Sequence, residues 1–128
     1  MALGAGAVEK YASGSPSVTM TTGAAVTAGR LVEVSGDRLV QHAQANSLKV
    51  LGVAKQTSDA ASDKLSVATG GVWLLTASGA ITAGDQIKAG AAGVAVAIAA
   101  DGDPRLVVGI ALEGAVDGAR VAVLLKIG

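Results

Sequence analysis

The side chains that most often perform chemistry in proteins are sparse in this sequence. The chain of 128 residues has no cysteine and a single histidine, His42. Without cysteine, the chain can form neither a disulfide nor a thiolate metal site. A lone histidine on a predicted strand is more often a surface or partly buried residue than a catalyst, and no mixed histidine and carboxylate cluster is visible. We therefore expect no metal site and no cofactor.

Two aspartates and a hydroxyl-rich stretch are the remaining candidates for chemistry. Asp101 and Asp103 are spaced like the first ligands of a calcium loop, but position 112, where such a loop needs a glutamate, is Leu112. The two aspartates flank a glycine and precede a proline, which is typical of a turn. Residues 13–22 are rich in serine and threonine, yet no base is placed to activate one of them. The sequence therefore predicts a protein that is not an enzyme.

Composition restricts both the core and the partners. Hydrophobic residues make up 51% of the chain, but there is no phenylalanine, one tyrosine and one tryptophan, so the core must be aliphatic. Ten basic and ten acidic residues cancel, which argues against binding nucleic acid through a phosphate-neutralising patch. Residues 65–84 carry no charge, but their glycine and hydroxyl content suits strands and turns better than a membrane helix. We expect neither nucleic acid nor membrane as a partner.

The chain carries one sequence pattern twice. Residues 26–34 and 81–89 share a Thr-Ala-Gly segment followed by a strand-like run. The similarity continues downstream, where the segments 51–54 and 64–67 resemble 108–111 and 120–123. Two copies are too few for a solenoid, and each copy is long enough to hold several strands. We therefore predict one domain over 17–128 that is built from two related β units, at about 24–69 and 79–127.

The predicted elements are strands separated by turns. Alternating apolar residues and β-formers predict strands, and glycine or aspartate clusters punctuate them at roughly ten-residue spacing. The predicted strands are 17–22, 30–34, 38–43, 48–55, 64–68, 72–75, 86–89, 94–99, 106–112 and 121–127. No helical period extends beyond a few residues. This pattern indicates an all-β fold, a small sandwich or barrel-like domain, preceded by an extended N-terminal arm at 1–16.

Three features of these strands bear on contacts. Residues 72–75 are apolar on both faces, which suits a central strand or one that a neighbour covers. The strand at 94–99 has alanine at every position of one face, which permits close packing against another layer or another subunit. Trp73 is the only tryptophan, so it is either a core anchor or an anchor of an interface, where tryptophan is enriched.

Four segments of the C-terminal half carry a resemblance to a known family, at 72–75, 80–85, 107–113 and 120–125. Through them the chain resembles the capsid decoration (cement) proteins of tailed bacteriophages, a family similar in role and size to the lambda head decoration protein. The resemblance covers most of the chain and is densest in this half. The alanine-rich hairpin around 89–100 and the N-terminal arm depart from the expected pattern. The motifs are structural and include no catalytic signature.

This resemblance implies a structural virion protein on the outer surface of an assembled capsid, present in the host cytoplasm before assembly. It implies a homotrimer that clamps neighbouring major capsid protein subunits together. An extended arm could add a strand to a sheet edge of the capsid, and three arms would bind with avidity. The expected capsid or subunit contacts are Leu3, Val8, Tyr11, Val18, Met20 and Trp73.

A small ligand-binding or carrier-type β module is the alternative. Duplicated hairpins also occur in biotinyl- and lipoyl-carrier domains, which this chain resembles weakly. Those domains need a lysine for modification on a hairpin between their halves. The junction at 68–84 contains no lysine, which counts against a carrier.

Overall fold

The computed structural model of the protein describes residues 17–98 and 102–126. These residues form ten strands and two short 3₁₀ turns, which confirms the all-β prediction. The strands are β1 (Ser17–Thr22), β2 (Leu31–Gly36), β3 (Leu39–His42), β4 (Val50–Ala54), β5 (Lys64–Ala68), β6 (Val72–Thr76), β7 (Gln86–Ala89), β8 (Ala95–Ala97), β9 (Gly109–Ala111) and β10 (Arg120–Leu125). The predicted arm at 1–16 lies outside the described residues.

Several predicted strands are longer than the observed ones, and the difference is largest at 106–112. We expected a strand over 106–112, but β9 covers only Gly109–Ala111, and Pro104–Leu106 forms a 3₁₀ turn. The Asp103 carboxylate accepts a hydrogen bond from the Arg105 N–H and caps this turn. Proline at the first helical position has its φ fixed near the helical value and leaves no N–H unpaired. Local capping therefore outweighs the apolar run that follows it.

The ten strands form two sheets of five, which we call the first unit (β1–β5) and the second unit (β6–β10). The first unit is a closed barrel with the order β1-β3-β2-β4-β5, in which β1 pairs antiparallel with β5 and parallel with β3. The second unit has the order β6-β10-β9-β7-β8. In the second unit, a parallel bridge between Ala77 and Ala95 takes the place of the parallel β1–β3 pairing that closes the first unit. The Ser78 N–H donates to the Ala95 carbonyl at 2.8 Å beside that bridge.

The two units have the same strand order and the same register. Replacing β1, β2, β3, β4 and β5 by β6, β7, β8, β9 and β10 gives β6-β8-β7-β9-β10. This is the order of the second sheet read around a ring in the opposite direction, with the Ala77–Ala95 bridge joining the end of β6 to β8. The cross-strand partners correspond as well. Matching pairs are Leu31–Val53 with Gln86–Ile110, Val53–Ala68 with Ile110–Leu124, Val18–Val67 with Trp73–Val123, and Val32–His42 with Ile87–Ala97. The paired strand residues of the first unit therefore have equivalents in the second.

The repeated Thr-Ala-Gly segments lie at equivalent turns. Gly29 and Gly84 both have positive φ, at 83° and 90°. The Gly29 N–H donates to the Ala54 carbonyl at 2.9 Å, and the Gly84 N–H donates to the Ala111 carbonyl at 2.8 Å. The boundaries of 24–69 and 79–127 for the repeat stay a proposal, since β1 and β6 correspond too and precede them.

Two hydrophobic clusters form the core. The smaller cluster fills the first barrel and consists of Val26, Val32, Val40, Ala54, Leu65 and Val67, with Met20 and Leu51 packed against it. The larger cluster fills the second unit and includes Trp73, Leu75, Ile87, Val121 and Val123. It also contains Leu31, Ala43, Val53 and Ala68, which come from the outside of the first barrel. The second unit is therefore packed on the outer face of the first.

The hairpin loop between β7 and β8 joins the two units closely. The Gly93 N–H donates to the Ala43 carbonyl at 2.9 Å, and the Arg30 guanidinium donates to the Ala92 carbonyl at 3.0 Å. Gly93 has φ +77°, and a Cβ at this position would overlap the Leu31 carbonyl oxygen. Only glycine meets both conditions without a shift of the backbone.

Candidate functional site

His42 performs a structural role. Its Nε2 accepts a hydrogen bond from the Thr27 N–H at 2.8 Å. Burial lowers the pKa of His42, and the positive charge of Arg30 lowers it further. The neutral imidazole is therefore the form that the fold favours, because protonation of Nε2 would remove the acceptor. The residue holds the segment before β2 against β3.

The turn predicted around Asp103 is present at the residues described there. Asp103 and Arg105 form an exposed ion pair, with 2.8 Å between Oδ2 and Nη2. Hydrogen bonds from Arg105 hold the pKa of Asp103 below its ordinary value. Among the described residues, no group of three or more histidine, aspartate or glutamate side chains could hold a metal ion. Asp101 lies outside the described residues.

Among the carboxylates that the structure describes, Glu33 is the most buried, and it lines a cavity of about 530 Å³. Its Oε2 accepts from the Gln41 amide at 2.8 Å, and its Oε1 accepts from the Gln44 N–H at 3.1 Å. Burial raises the pKa of Glu33, but hydrogen bonds from Ser47, Gln41 and Gln44 and the charge of Lys49 bring it below the ordinary value. Both oxygens are engaged, so Glu33 fixes the loop between β3 and β4 and is not available as a reactive base.

The outer face of the second unit is an apolar surface. We define this outer face by Val72, Leu74, Ile110, Leu112, Ala122 and Leu124. Cross-strand pairing places Leu124 between Val72 and Ile110, and Ala122 opposite Leu74. Leu112 and Leu124 are 45% and 37% exposed. Val72 and Ala122 are buried but do not belong to the core clusters, so the outer face has its own apolar layer.

The corresponding face of the first unit differs in composition. Ser17, Thr19, Lys55 and Ser66 occupy the positions of Val72, Leu74, Leu112 and Ala122. Polar side chains therefore stand on the first unit where the second unit has aliphatic ones. Large apolar patches on a folded domain mark sites of interaction with another molecule, and here the exposed Leu112 and Leu124 lie beside the half-buried Leu74 and Ile110. The outer face of the second unit is the strongest candidate site that the described residues present.

The residues expected to make contacts lie in different environments. Val18 is 39% exposed on β1, and Met20 is half-buried against the core of the first barrel. Trp73 is only 2% exposed, and its indole N–H donates to the Gly70 carbonyl at 2.7 Å. This burial agrees with the core interpretation of Trp73, because a side chain with so little free surface offers a partner almost nothing to contact. Leu3, Val8 and Tyr11 lie outside the described residues.

The expected contact list omitted the outer face itself. The signal was present in the strand at 72–75, whose apolar character on both faces indicated a covering neighbour. The same signal occurs at Ile110 and Leu124, where aliphatic residues alternate with the buried ones. The alanine face of β8 points into the core of its own chain, where Ala95 is fully buried. The half-buried Val94, Val96 and Ile98 stand on the opposite side.

Comparison with known proteins gives two matches. The sequence matches the family described as phage cement protein over residues 12–127. A solved structure, the N base of the head fiber protein gp8.5 of bacteriophage phi29, is similar with a TM-score of 0.69 and 28% sequence identity. The match covers 87% of this chain and 93% of that one. No curated protein sequence matches the chain. The described residues contain no helix that could span a membrane.

Proposed function

The chain belongs to the phage cement protein family, and we propose that it binds the outer surface of an assembled phage capsid and stabilises it by clamping neighbouring major capsid protein subunits. The family match over residues 12–127 is the observation that carries this proposal. The similarity to a phage head fiber base supports it. In this proposal the protein is a structural component of the virion, is present in the host cytoplasm before assembly, and acts without catalysis.

The proposed assembly is a homotrimer. A three-fold assembly matches the points at which three capsid subunits or capsomers meet, so that each copy touches an equivalent capsid surface. The exposed aliphatic side chains of the outer face supply apolar area for such contacts. The near-absence of net charge is consistent with binding by shape and apolar burial, since ten basic residues balance ten acidic ones.

The arm at residues 1–16, with Leu3, Val8 and Tyr11, is proposed to contact the capsid or a neighbouring copy. Fixing the backbone of an extended segment costs about 1–2 kcal/mol per residue. Pairing with a strand edge and burial of these three side chains would offset that cost. Three arms on one trimer would act together, so their joint loss weakens binding by more than the contribution of one arm.

Co-sedimentation with expanded capsids that lack the protein tests the proposal. The protein is expected to pellet with these capsids at a fixed copy number and to raise the temperature at which they release DNA. A variant lacking residues 2–16 is expected to keep its β domain and to bind much more weakly. Capsids already saturated with the protein serve as the control. Failure to pellet with capsids, or pelleting without any gain in capsid stability, would contradict the binding or the clamping.

A further inference from the structure

We propose that the part of the second unit's outside formed by Gln86, Ile98, Ile110 and Leu124 binds the first unit of another copy of this chain. The contact is head-to-tail and follows the one that joins the two units within a single chain. This inference rests on the oligomeric part of the proposed function and assigns it a surface. Its test uses the free protein, so it can fail while capsid binding stands.

The first reason is that equivalent positions of the two units differ in burial. Leu31, Ala43, Val53 and Ala68 are fully buried on the outside of the first barrel, where the second unit covers them. Their equivalents in the second unit are Gln86, Ile98, Ile110 and Leu124. In the described chain Gln86 and Leu124 are exposed and the other two are half-buried. One surface is therefore covered inside the chain, and its counterpart, which is aliphatic at Ile98, Ile110 and Leu124 and polar at Gln86, stays at least partly exposed.

The second reason is that the contact within the chain is not two-fold symmetric. A two-fold contact would bury equivalent residues of both units, but Ala68 is 0% exposed whereas Leu124 is 37% exposed. Contacts of this heterologous kind leave one free surface at each end, and these ends complement each other. If the same contact is repeated between chains, the free surface of the second unit of one copy binds the free end of the first unit of the next copy. The chains then form a closed ring when the rotation from one copy to the next adds up to a full turn.

The third reason is that the matching end of the first unit is also free. Within the chain, Trp73 of the second unit belongs to the same buried cluster as Leu31, Ala43, Val53 and Ala68, and the loop at 90–93 contacts the first unit through Gly93. The equivalent of Trp73 is Val18, which is 39% exposed. The equivalent segment at 35–38, which is the end of β2 and the turn to β3, is exposed along its whole length. The first unit thus presents the same elements that the second unit uses to cover it.

Charge complementarity at the loop favours a second copy as the occupant. Within the chain, a Cβ at Gly93 would lie 3.2 Å from the Cβ of Arg30. The equivalents of these two residues are Arg38 and Asp85, at the same spacing of 55 positions. Repetition of the contact therefore brings an arginine of one copy to an aspartate of another. Gly93 has no side chain and approaches the backbone of the first unit closely, whereas Arg38 has a long side chain. In the contact between copies, an ion pair between Arg38 and Asp85 therefore takes the place of that close backbone approach.

Two variants with complementary defects test the inference by sedimentation velocity on the free protein. Leu124→Asp places a charge on the outer face, and Val18→Asp places one on the matching end of the first unit. Each variant alone is expected to lose self-association by about 30-fold or more, as at interface hot spots. An equimolar mixture retains one intact face and one intact end, so it is expected to form a species of two chains.

Val116→Asp is the matched control, because Val116 is 72% exposed in the loop before β10 and lies off the outer face. It is expected to assemble like the wild type. Circular dichroism checks that all variants keep the β fold.

The inference is overturned if Leu124→Asp assembles normally or if the mixture stays at the mass of one chain. It is also overturned if the wild-type protein itself has the mass of one chain. It is also overturned if Leu124→Asp loses only capsid binding, which would assign the face to the capsid. A fall in unfolding temperature without any change in mass would assign it to residues 1–16 of the same chain.

Discussion

Leu124 occupies in the second unit the position that Ala68 occupies in the first, yet only Leu124 reaches the surface. Ala68 pairs with Val53, and Leu124 pairs with Ile110, in the same antiparallel register. The exposed fraction is 0% for Ala68 and 37% for Leu124. The same position in two related sheets therefore lies in the joint between the units at Ala68 and on the outer apolar surface at Leu124.

Replacing Gly93 by alanine is expected to loosen the joint between the units. The new Cβ would overlap the Leu31 carbonyl oxygen, and φ at this position is +77°. Gly79→Ala is the matched control, since its φ is +83° but its Cβ would meet open space. Backbone strain alone costs about 1–2 kcal/mol in the control, and overpacking adds roughly 1–3 kcal/mol at Gly93. Urea denaturation measures both free energies of unfolding, and equal losses would contradict the tight contact.

The Trp73→Phe variant is expected to be less stable than the wild type. The change removes the indole N–H that donates to the Gly70 carbonyl at 2.7 Å. Loss of one partner of a buried hydrogen bond costs about 1–3 kcal/mol. Urea denaturation followed by circular dichroism gives the difference, because the variant has no tryptophan for fluorescence. Leu48→Ala, at a residue that is 59% exposed, is the control and should change stability by less than about 0.5 kcal/mol.

Stability is expected to fall in acid as Glu33 takes up a proton. The pKa of Glu33 is lowered in the folded state, so its contribution is present above the unfolded pKa of about 4.3. That contribution is lost as the pH falls through the lower folded pKa. Glu33→Gln should be less stable than the wild type at neutral pH and should lose less stability between about pH 5 and pH 3. Thermal unfolding across this range measures both slopes, and parallel slopes would rule out the role of Glu33.

His42 predicts a second pH dependence in a higher range. Its pKa is lowered in the folded state by burial and by Arg30. The unfolded chain therefore binds the proton more tightly, and stability present above about pH 6.5 is lost as the pH falls through the folded pKa. His42→Gln has no titrating group but keeps an oxygen that can accept from the Thr27 N–H. Its unfolding temperature should change less between about pH 7.5 and pH 5.5, and an unchanged slope would show that another group titrates.

Several strands could be predicted from local pattern alone. The predicted strands at Ser17–Thr22, Lys64–Ala68 and Gln86–Ala89 have the observed bounds. In each, β-forming or alternating residues are bounded by turn residues, so local preference and tertiary packing agree. The strand predicted over 106–112 was wrong at its start, because the capped turn at Pro104–Leu106 is a local structure that the apolar pattern does not reveal.

The candidate site could be predicted only in part. The sequence showed that 72–75 was apolar on both faces, and the resemblance to cement proteins was confirmed by the family match. The outer face as a surface could not be derived, since Leu112 and Leu124 resemble the core residues beside them. Trp73 could not be assigned from the sequence alone either, because a lone tryptophan is compatible with a core and with an interface until its burial is known.

The sequence by itself determined the repeat, most of the strands and the aliphatic character of the core. These follow from periodicity and turn chemistry, which act over a few neighbouring residues. Only the tertiary structure decided which of two equivalent faces is covered. Val53 and Ile110 have the same register and similar chemistry, but Val53 is fully buried beneath the second unit, whereas Ile110 stays half-buried on the outside. Burial of such residues depends on how the two units pack against each other. The alternation of apolar residues along a strand has the same period of two in both units, so it cannot show which unit covers the other.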